Sequence, residues 1–197
     1  MADNLEERNP RRNELTSLEN LADRILTTSL IYGDFLLSSG KRSHYYVDKY
    51  KFLCDPTLLR EVARALLAKT PPETERIAGV EGGAGLLVTA MSLESSIPSL
   101  IVRKGRKGYG TDNWVEGTWE PGMKVTLVED VVTTGAQMAA AAQALAAGGF
   151  QVIKLLSVVN RSGGEGFAGE VDALVRLSTD DHVVRSIYPP ETLRVKR

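Results

Sequence analysis

The stretch VTLVEDVVTTGAQ, residues 125–137, decides how the rest of the chain is read. An apolar run stops at two adjacent acids, a Thr-Thr-Gly turn follows, and an alanine-rich segment comes next. Residues 125–128 predict a central buried strand, with Glu129 and Asp130 emerging at its carboxyl edge. The turn at Thr133, Thr134 and Gly135 leads into a helix from about Ala136. Successive backbone N–H groups at such a turn, backed by the helix dipole, make an anion site. The threonine hydroxyls add donors, and Gly135 lets the backbone approach closely. The two carboxylates suit sugar hydroxyls, or a divalent cation held through oxygen. Phosphate donors beside diol acceptors describe a ribose 5-phosphate site. The plainer alternative is a solvated acidic strand end and an ordinary turn.

Around this stretch the chain alternates. RIAGV (76–80) reads as a strand, EGGAG (81–85) as a turn and LLVTAMSLESS (86–96) as a helix. PSLIVRK (98–104) reads as a strand, followed by a long polar loop over 105–122. MKVTLVED (123–130) is a strand, AQMAAAAQALAAGG (136–149) a helix closed by glycine, FQVIKLLSVVN (150–160) a strand and VDALVRLS (171–178) a last strand. Strand and helix in this order predict an α/β fold with a central, mainly parallel sheet flanked by helices. Upstream, residues 1–15 read as a solvated tail, and 16–31 as a helix with capping-box spacing at Thr16 and Glu19. Residues 34–48 are β-like, with a hairpin break at Ser39-Gly40. Residues 55–69 predict a helix with Asp55 at the N-cap and Pro56 at its first position. Residues 16–197 are expected to form a single domain.

Composition narrows the function classes. The chain has 197 residues, 43% hydrophobic and 25% charged, enough for one sizeable core. A formal net charge of −1 makes no electrostatic case for nucleic acid or membrane binding. The single cysteine, Cys54, excludes an intrachain disulfide framework and fits a reducing, cytoplasmic setting. The charged N-terminal segment lacks the apolar core of a signal peptide, and no apolar run approaches the ~18 residues of a membrane span. His44 and His182 read as surface or packing residues, Cys54 as a packing residue, and Trp114 and Trp119 as anchors for the end of the polar loop.

Three further turns have unusual composition. GVEGGAG (79–85) permits tight backbone beside a ligand. VRKGRKGYGTDNWVEG (102–117) sets Arg103, Lys104, Arg106 and Lys107 among glycines, a positive lid suited to a departing polyanion or simply a solvated basic loop. VVNRSGGEG (158–166) puts Arg161 at a strand end, where a guanidinium can fork onto a carboxylate or rest on the surface.

VTLVEDVVTTG resembles the phosphoribosyl-pyrophosphate (PRPP) signature of type I phosphoribosyltransferases, and the basic loop is similar to the catalytic loop of the orotate phosphoribosyltransferases among them. The resemblance spans roughly residues 18–170 and implies the type I phosphoribosyltransferase fold, with residues 16–55 forming a small N-terminal hood. It implies transfer of 5-phosphoribosyl from PRPP to orotate, yielding orotidine 5′-monophosphate and pyrophosphate in pyrimidine biosynthesis. It assigns PRPP to Glu129, Asp130, Val131, Val132, Thr133, Thr134, Gly135, Ala136 and Gln137, and to the loop of Glu81, Gly82 and Gly83. Catalysis is assigned to Arg103, Lys104, Lys107 and Tyr109. Tyr109 stands where the family pattern has histidine, which removes a titratable cation. Orotate is assigned to Arg161, Thr133, Tyr45 and Tyr46, beside Ser39 and Gly40 of the hood; Ser38 replaces a basic residue of the pattern. The resemblance implies Mg²⁺ carried by PRPP, with Asp130 as a candidate direct ligand, and a homodimer whose lid loop is shared between subunits. A different base, or a non-catalytic PRPP-sensing regulator, are the alternatives.

Overall fold

The computed structural model describes residues 10–36, 42–105, 114–163, 166–177 and 184–186. Helix α1 (Pro10–Ser29) leads into an antiparallel pair, β1 (Leu30–Leu36) and β2 (Arg42–Val47), then α2 (Tyr50–Leu53) and α3 (Pro56–Leu67). The main sheet follows: β3 (Arg76–Val80), α4 (Gly83–Ser95), β4 (Ser99–Val102), β5 (Val115–Glu116), β6 (Lys124–Val132), α5 (Ala136–Ala147), β7 (Gln151–Asn160), α6 (Gly166–Gly169), β8 (Asp172–Leu177) and β9 (Val184–Ser186). Among the described residues its seven strands run in the order β5-β4-β3-β6-β7-β8-β9. β4, β3, β6, β7 and β8 are parallel, and β5 and β9 close the edges antiparallel. The mainly parallel α/β sheet expected from the sequence is present.

The strand order locates the crevice. From β3 the chain steps to β4 on one side, then returns to place β6 on the other. That reversal is a topological switch point, and the connections leaving β3 and β6 diverge to open a cleft at their carboxyl ends.

Two apolar layers hold the sheet. On one face Leu21, Ile25, Phe52, Leu66, Leu87 and Val128 pack together, joining α1–α4 to the strands. On the other, Val125, Leu127, Met138, Leu145 and Phe150 seat α5. β6 is buried from Val125 to Asp130, the result of being covered on both faces. Trp119 meets Phe150 at 4.6 Å between ring centroids, fastening the end of the polar loop.

Several boundaries differ from expectation. α1 starts at Pro10, so residues 10–15 are helical, and Thr16 and Glu19 lie within the helix rather than at its cap. Proline's fixed φ suits a first turn, and RRNEL continues it without a breaker. Leu30 and Ile31 leave the helix because they pair with Val47 and Tyr46. α4 begins at Gly83, since Gly82 at φ 114° turns the chain within one residue. β6 runs on to Val132, kept in the sheet by Val131↔Val159 and Val132↔Asn160. Cys54 is exposed rather than packed. The Ser39-Gly40 turn and His182 lie outside the described residues.

The α3 start matches its reading: Asp55 accepts from the N–H groups of Thr57 and Leu58 at 2.9 and 2.8 Å, with Pro56 at the first helical position. Asp55→Ala removes that cap and is expected to lower unfolding free energy by about 1 kcal/mol with an unchanged denaturant slope, measured by urea titration.

Candidate functional site

The carboxyl ends of β3 and β6 bring three groups of residues together. The first surrounds the acids. Successive strand residues face opposite sides, so Glu129 and Asp130 do not form a side-by-side pair at the edge. Both lie within β6 and are buried, at 4% and 1% exposure. The expectation that they emerge at the strand's carboxyl edge is corrected, because the β7 ladder carries β6 on to Val132.

Asp130 faces α4 and the hood. Lys49, in the link between β2 and α2, donates from Nζ to Oδ1 at 3.0 Å and lies 2.8 Å from Oδ2. Burial works to lower the Lys49 pKa, but the Asp130 hydrogen bond and charge outweigh it and raise the value. The Val131 N–H donates to Asp130 Oδ1 at 2.6 Å, while Oδ2 is buried and has the Lys49 ammonium as its ion-pair partner. A Cβ at Gly83 would sit 2.0 Å from that oxygen, so only glycine admits the carboxylate there.

Glu129 faces α5. It accepts from the Asp130 N–H at 3.1 Å and from Gln137 Nε2 at 3.5 Å. Burial, then the Asp130 charge, push its carboxyl up to about 8. The following turn has Thr133 and Thr134 exposed and Gly135 at φ 78°. Thr134 Oγ1 accepts the Ala136 N–H at 3.3 Å, and α5 begins there with its positive dipole end toward the cleft.

The second group joins the β3–α4 turn to the start of the basic segment. The Glu81 carboxylate accepts the Lys104 N–H at 2.9 Å and lies 3.4 Å from Arg103. Lys104 Nζ stands 3.9 Å from the position a Cβ would take at Gly82. Lys107 and Tyr109 lie outside the described residues.

The third group is Arg161, whose N–H donates to the Val132 carbonyl at 2.8 Å. Its guanidinium lies 4.5 Å from the Tyr45 ring centroid and donates to Ser43 Oγ at 3.3 Å. Tyr45 is buried and Tyr46 is not, because they occupy opposite faces of β2. Tyr46 packs on Phe35 instead, so the expected tyrosine pair is split. Lys49 and Ser43 were not singled out from the sequence. A lysine just past a strand was visible, but its partner stands 81 positions away.

Among the described residues no group of three or more His, Cys, Asp or Glu is arranged to hold a metal. A hard cation would have to compete with Lys49 for the Asp130 carboxylate and would otherwise depend on ligand oxygens.

No protein-family model matches the chain. The orotate phosphoribosyltransferase of Methanocella arvoryzae is 42% identical over 138 residues, covering 70% of this chain and 79% of that protein. The orotate phosphoribosyltransferase of Aeropyrum pernix superposes with a TM-score of 0.66 at 29% identity, covering 83% of this chain and 93% of that one. The Mycobacterium tuberculosis orotate phosphoribosyltransferase, solved in complex with PRPP, superposes at 0.63 with 26% identity, covering 81% of this chain and 96% of that one. With two strand-end turns flanking one switch point and relatives matched over most of their length, this chain belongs to the orotate phosphoribosyltransferase family.

Proposed function

We propose that the protein transfers the 5-phosphoribosyl group of PRPP to orotate, forming orotidine 5′-monophosphate and pyrophosphate in pyrimidine biosynthesis. One observation carries this reading: the switch point sets the Gly82–Gly83 turn and the Thr133–Gly135 turn at the ends of the adjacent strands β3 and β6. A molecule with a phosphate at one end and a pyrophosphate at the other, joined by a ribose, matches that spacing of sites.

Each residue then has a physical task. The amides of the turn before α5 take the 5-phosphate. The Asp130 and Glu129 carboxylates accept ribose hydroxyls. Gly82 lets backbone approach the pyrophosphate, Gly83 beside it makes room for Asp130, and the Lys104 ammonium offsets the growing charge as the C–O bond breaks. Arg161 offers a planar fork to the orotate carboxylate, and its stacking on Tyr45 presets that plane. Thr133, exposed in the same turn, offers its hydroxyl to the base. Lys107 completes the cationic side of the leaving group, and Tyr109 adds a hydroxyl donor. Mg²⁺ bound with PRPP would neutralise pyrophosphate charge, with Asp130 as its protein contact.

Residues 16–55 act as the hood of a single domain, and the enzyme works as a homodimer that shares the basic loop between subunits. No described helix is long and apolar enough to cross a membrane, and we place the enzyme in the cytoplasm.

The first test follows absorbance as the protein meets orotate, PRPP and Mg²⁺. Orotate is expected to be consumed; turnover with another base alone would reject the reading. Lys107→Ala is expected to lose about 10²–10³-fold in kcat while PRPP affinity falls less, measured by steady-state kinetics and calorimetry. The Glu129 pKa gives a third. With its carboxyl raised to about 8, the group is protonated at pH 6, and accepting two hydroxyls requires its ionised form. The PRPP dissociation constant is therefore expected to fall as pH rises from 6 to 8, by up to about tenfold per unit, and to level off above. In Glu129→Gln this slope should flatten.

A further inference from the structure

An aspartate carboxylate turns easily about its Cβ–Cγ bond, because that torsion has broad, two-fold wells. A carboxylate that must meet a ribose diol therefore needs its plane set by its surroundings. Asp130 has three such neighbours. The Val131 N–H reaches Oδ1 at 2.6 Å, and the missing side chain of Gly83 makes room for Oδ2. Lys49 spans the two oxygens, with Nζ 3.0 Å from Oδ1 and 2.8 Å from Oδ2. Of the three, Lys49 alone engages both oxygens, so it is the contact that fixes the plane.

Lys49 is itself braced. It stands at the N-cap of α2, where its carbonyl accepts the N–H groups of Phe52 and Leu53 at 3.2 and 3.0 Å, and both of those side chains are buried. Its own N–H donates to the Val47 carbonyl at 3.1 Å, and the Asp48 N–H donates to the Ser29 carbonyl at 2.8 Å. The ammonium also lies 5.7 Å from the Tyr50 ring centroid. Leu53 of the same short helix packs against the Gly83 turn, its Cδ1 2.9 Å from where a Cβ would stand. One segment thus carries both the ammonium that grips Asp130 and a side chain that backs the glycine beside it. Among the described residues Lys49 is the one cation paired with either acid of β6; Glu129 has the Gln137 amide instead.

We propose that Lys49 is a positioning residue for phosphoribosyl transfer, which sets the plane of the Asp130 carboxylate so that it meets the ribose hydroxyls. This rests on the phosphoribosyl-transfer reading and adds to it a residue of the link that follows the hood. There are two rivals. One is a direct contact of the ammonium with the anionic ends of PRPP, and the other is a purely structural tie that seats the hood over the base.

The three accounts differ in which ligand they weaken and in additivity. Lys49→Met, Lys49→Arg, Asp130→Asn and the Lys49→Met/Asp130→Asn pair are titrated by calorimetry with ribose 5-phosphate and with inorganic pyrophosphate, and KM for orotate is taken from steady-state rates. Action on the diol through Asp130 predicts a roughly tenfold weaker ribose 5-phosphate affinity in Lys49→Met, with pyrophosphate affinity and orotate KM within about twofold. Lys49→Arg restores the charge and is expected to recover ribose 5-phosphate affinity to within about threefold of the unmodified protein. In the Asp130→Asn background, Lys49→Met is expected to cost less than about twofold. Equal weakening of pyrophosphate would identify a direct contact and overturn the proposal. An orotate KM raised as far as the ribose 5-phosphate dissociation constant would identify a hood tie and overturn it too. So would an undiminished loss in the Asp130→Asn background, or an unaltered Lys49→Met protein. Lys49→Met leaves a buried carboxylate unpaired. If it fails to fold, the double variant, which removes that charge as well, is compared with Asp130→Asn and carries the test. Binding of ribose 5-phosphate without turnover of orotate rejects the transfer reading alone, and the same binding cycle still decides the role of Lys49.

Discussion

A carboxylate inside a sheet needs a cation and room, and the burial of Asp130 shows where both come from. The room is the missing side chain of Gly83, and the cation is Lys49. Together they connect three parts of the molecule: the central strand, the first turn of α4 and the link that follows the hood. Breaking a fully buried pair by removing one partner costs about 3–5 kcal/mol. Lys49 keeps 30% side-chain exposure, which places this pair below that range. Its structural consequence is larger than its energy, because it fixes the hood over the end of β6. Arg161 repeats the device from the next strand, stacking on Tyr45 and reaching Ser43 of the same β2.

The sheet order makes such meetings possible. β3 and β6 are neighbours although the aligned Ile77 and Thr126 stand 49 positions apart, and the chain's return at β6 is what sets the two turns side by side. Their parallel alignment puts both carboxyl ends at the same height, and the diverging connections leave a cleft between them. Each side of that cleft has a distinct electrical character. The β6 side offers a helix N-terminus and carboxylates; the β3 side offers glycine backbone and the Lys104 ammonium. A ligand with two anionic ends and a diol in the middle is the chemistry such an arrangement suits.

Periodicity and turn chemistry made much of this legible beforehand. β3, β4, β6, β7 and β8 were each readable as apolar runs, and α3 announced itself through Asp55-Pro56. β5 and β9 were not, because two- and three-residue edge strands are defined by their partners and carry no pattern of their own. The start of α1 was misread for a related reason: charged residues that favour helix weakly resemble a tail until something supports them. The end of β6 moved outward because ladder partners on β7, remote in sequence, held Val131 and Val132 in the sheet.

The chemistry divides along the same line. Residue types and their local order were enough to specify the anion-binding turn, the glycines beside a ligand, the basic segment and an arginine at a strand end, since each depends on backbone conformation within a few residues. Which charges face one another was decided only by tertiary structure. The alternation of β6 sends Glu129 and Asp130 to opposite faces, that of β2 separates Tyr45 from Tyr46, and packing delivers Lys49 to Asp130 and Arg103 to Glu81. Electrostatic partnership depends on distance in space and on burial, and neither is encoded in the spacing of residues along the chain.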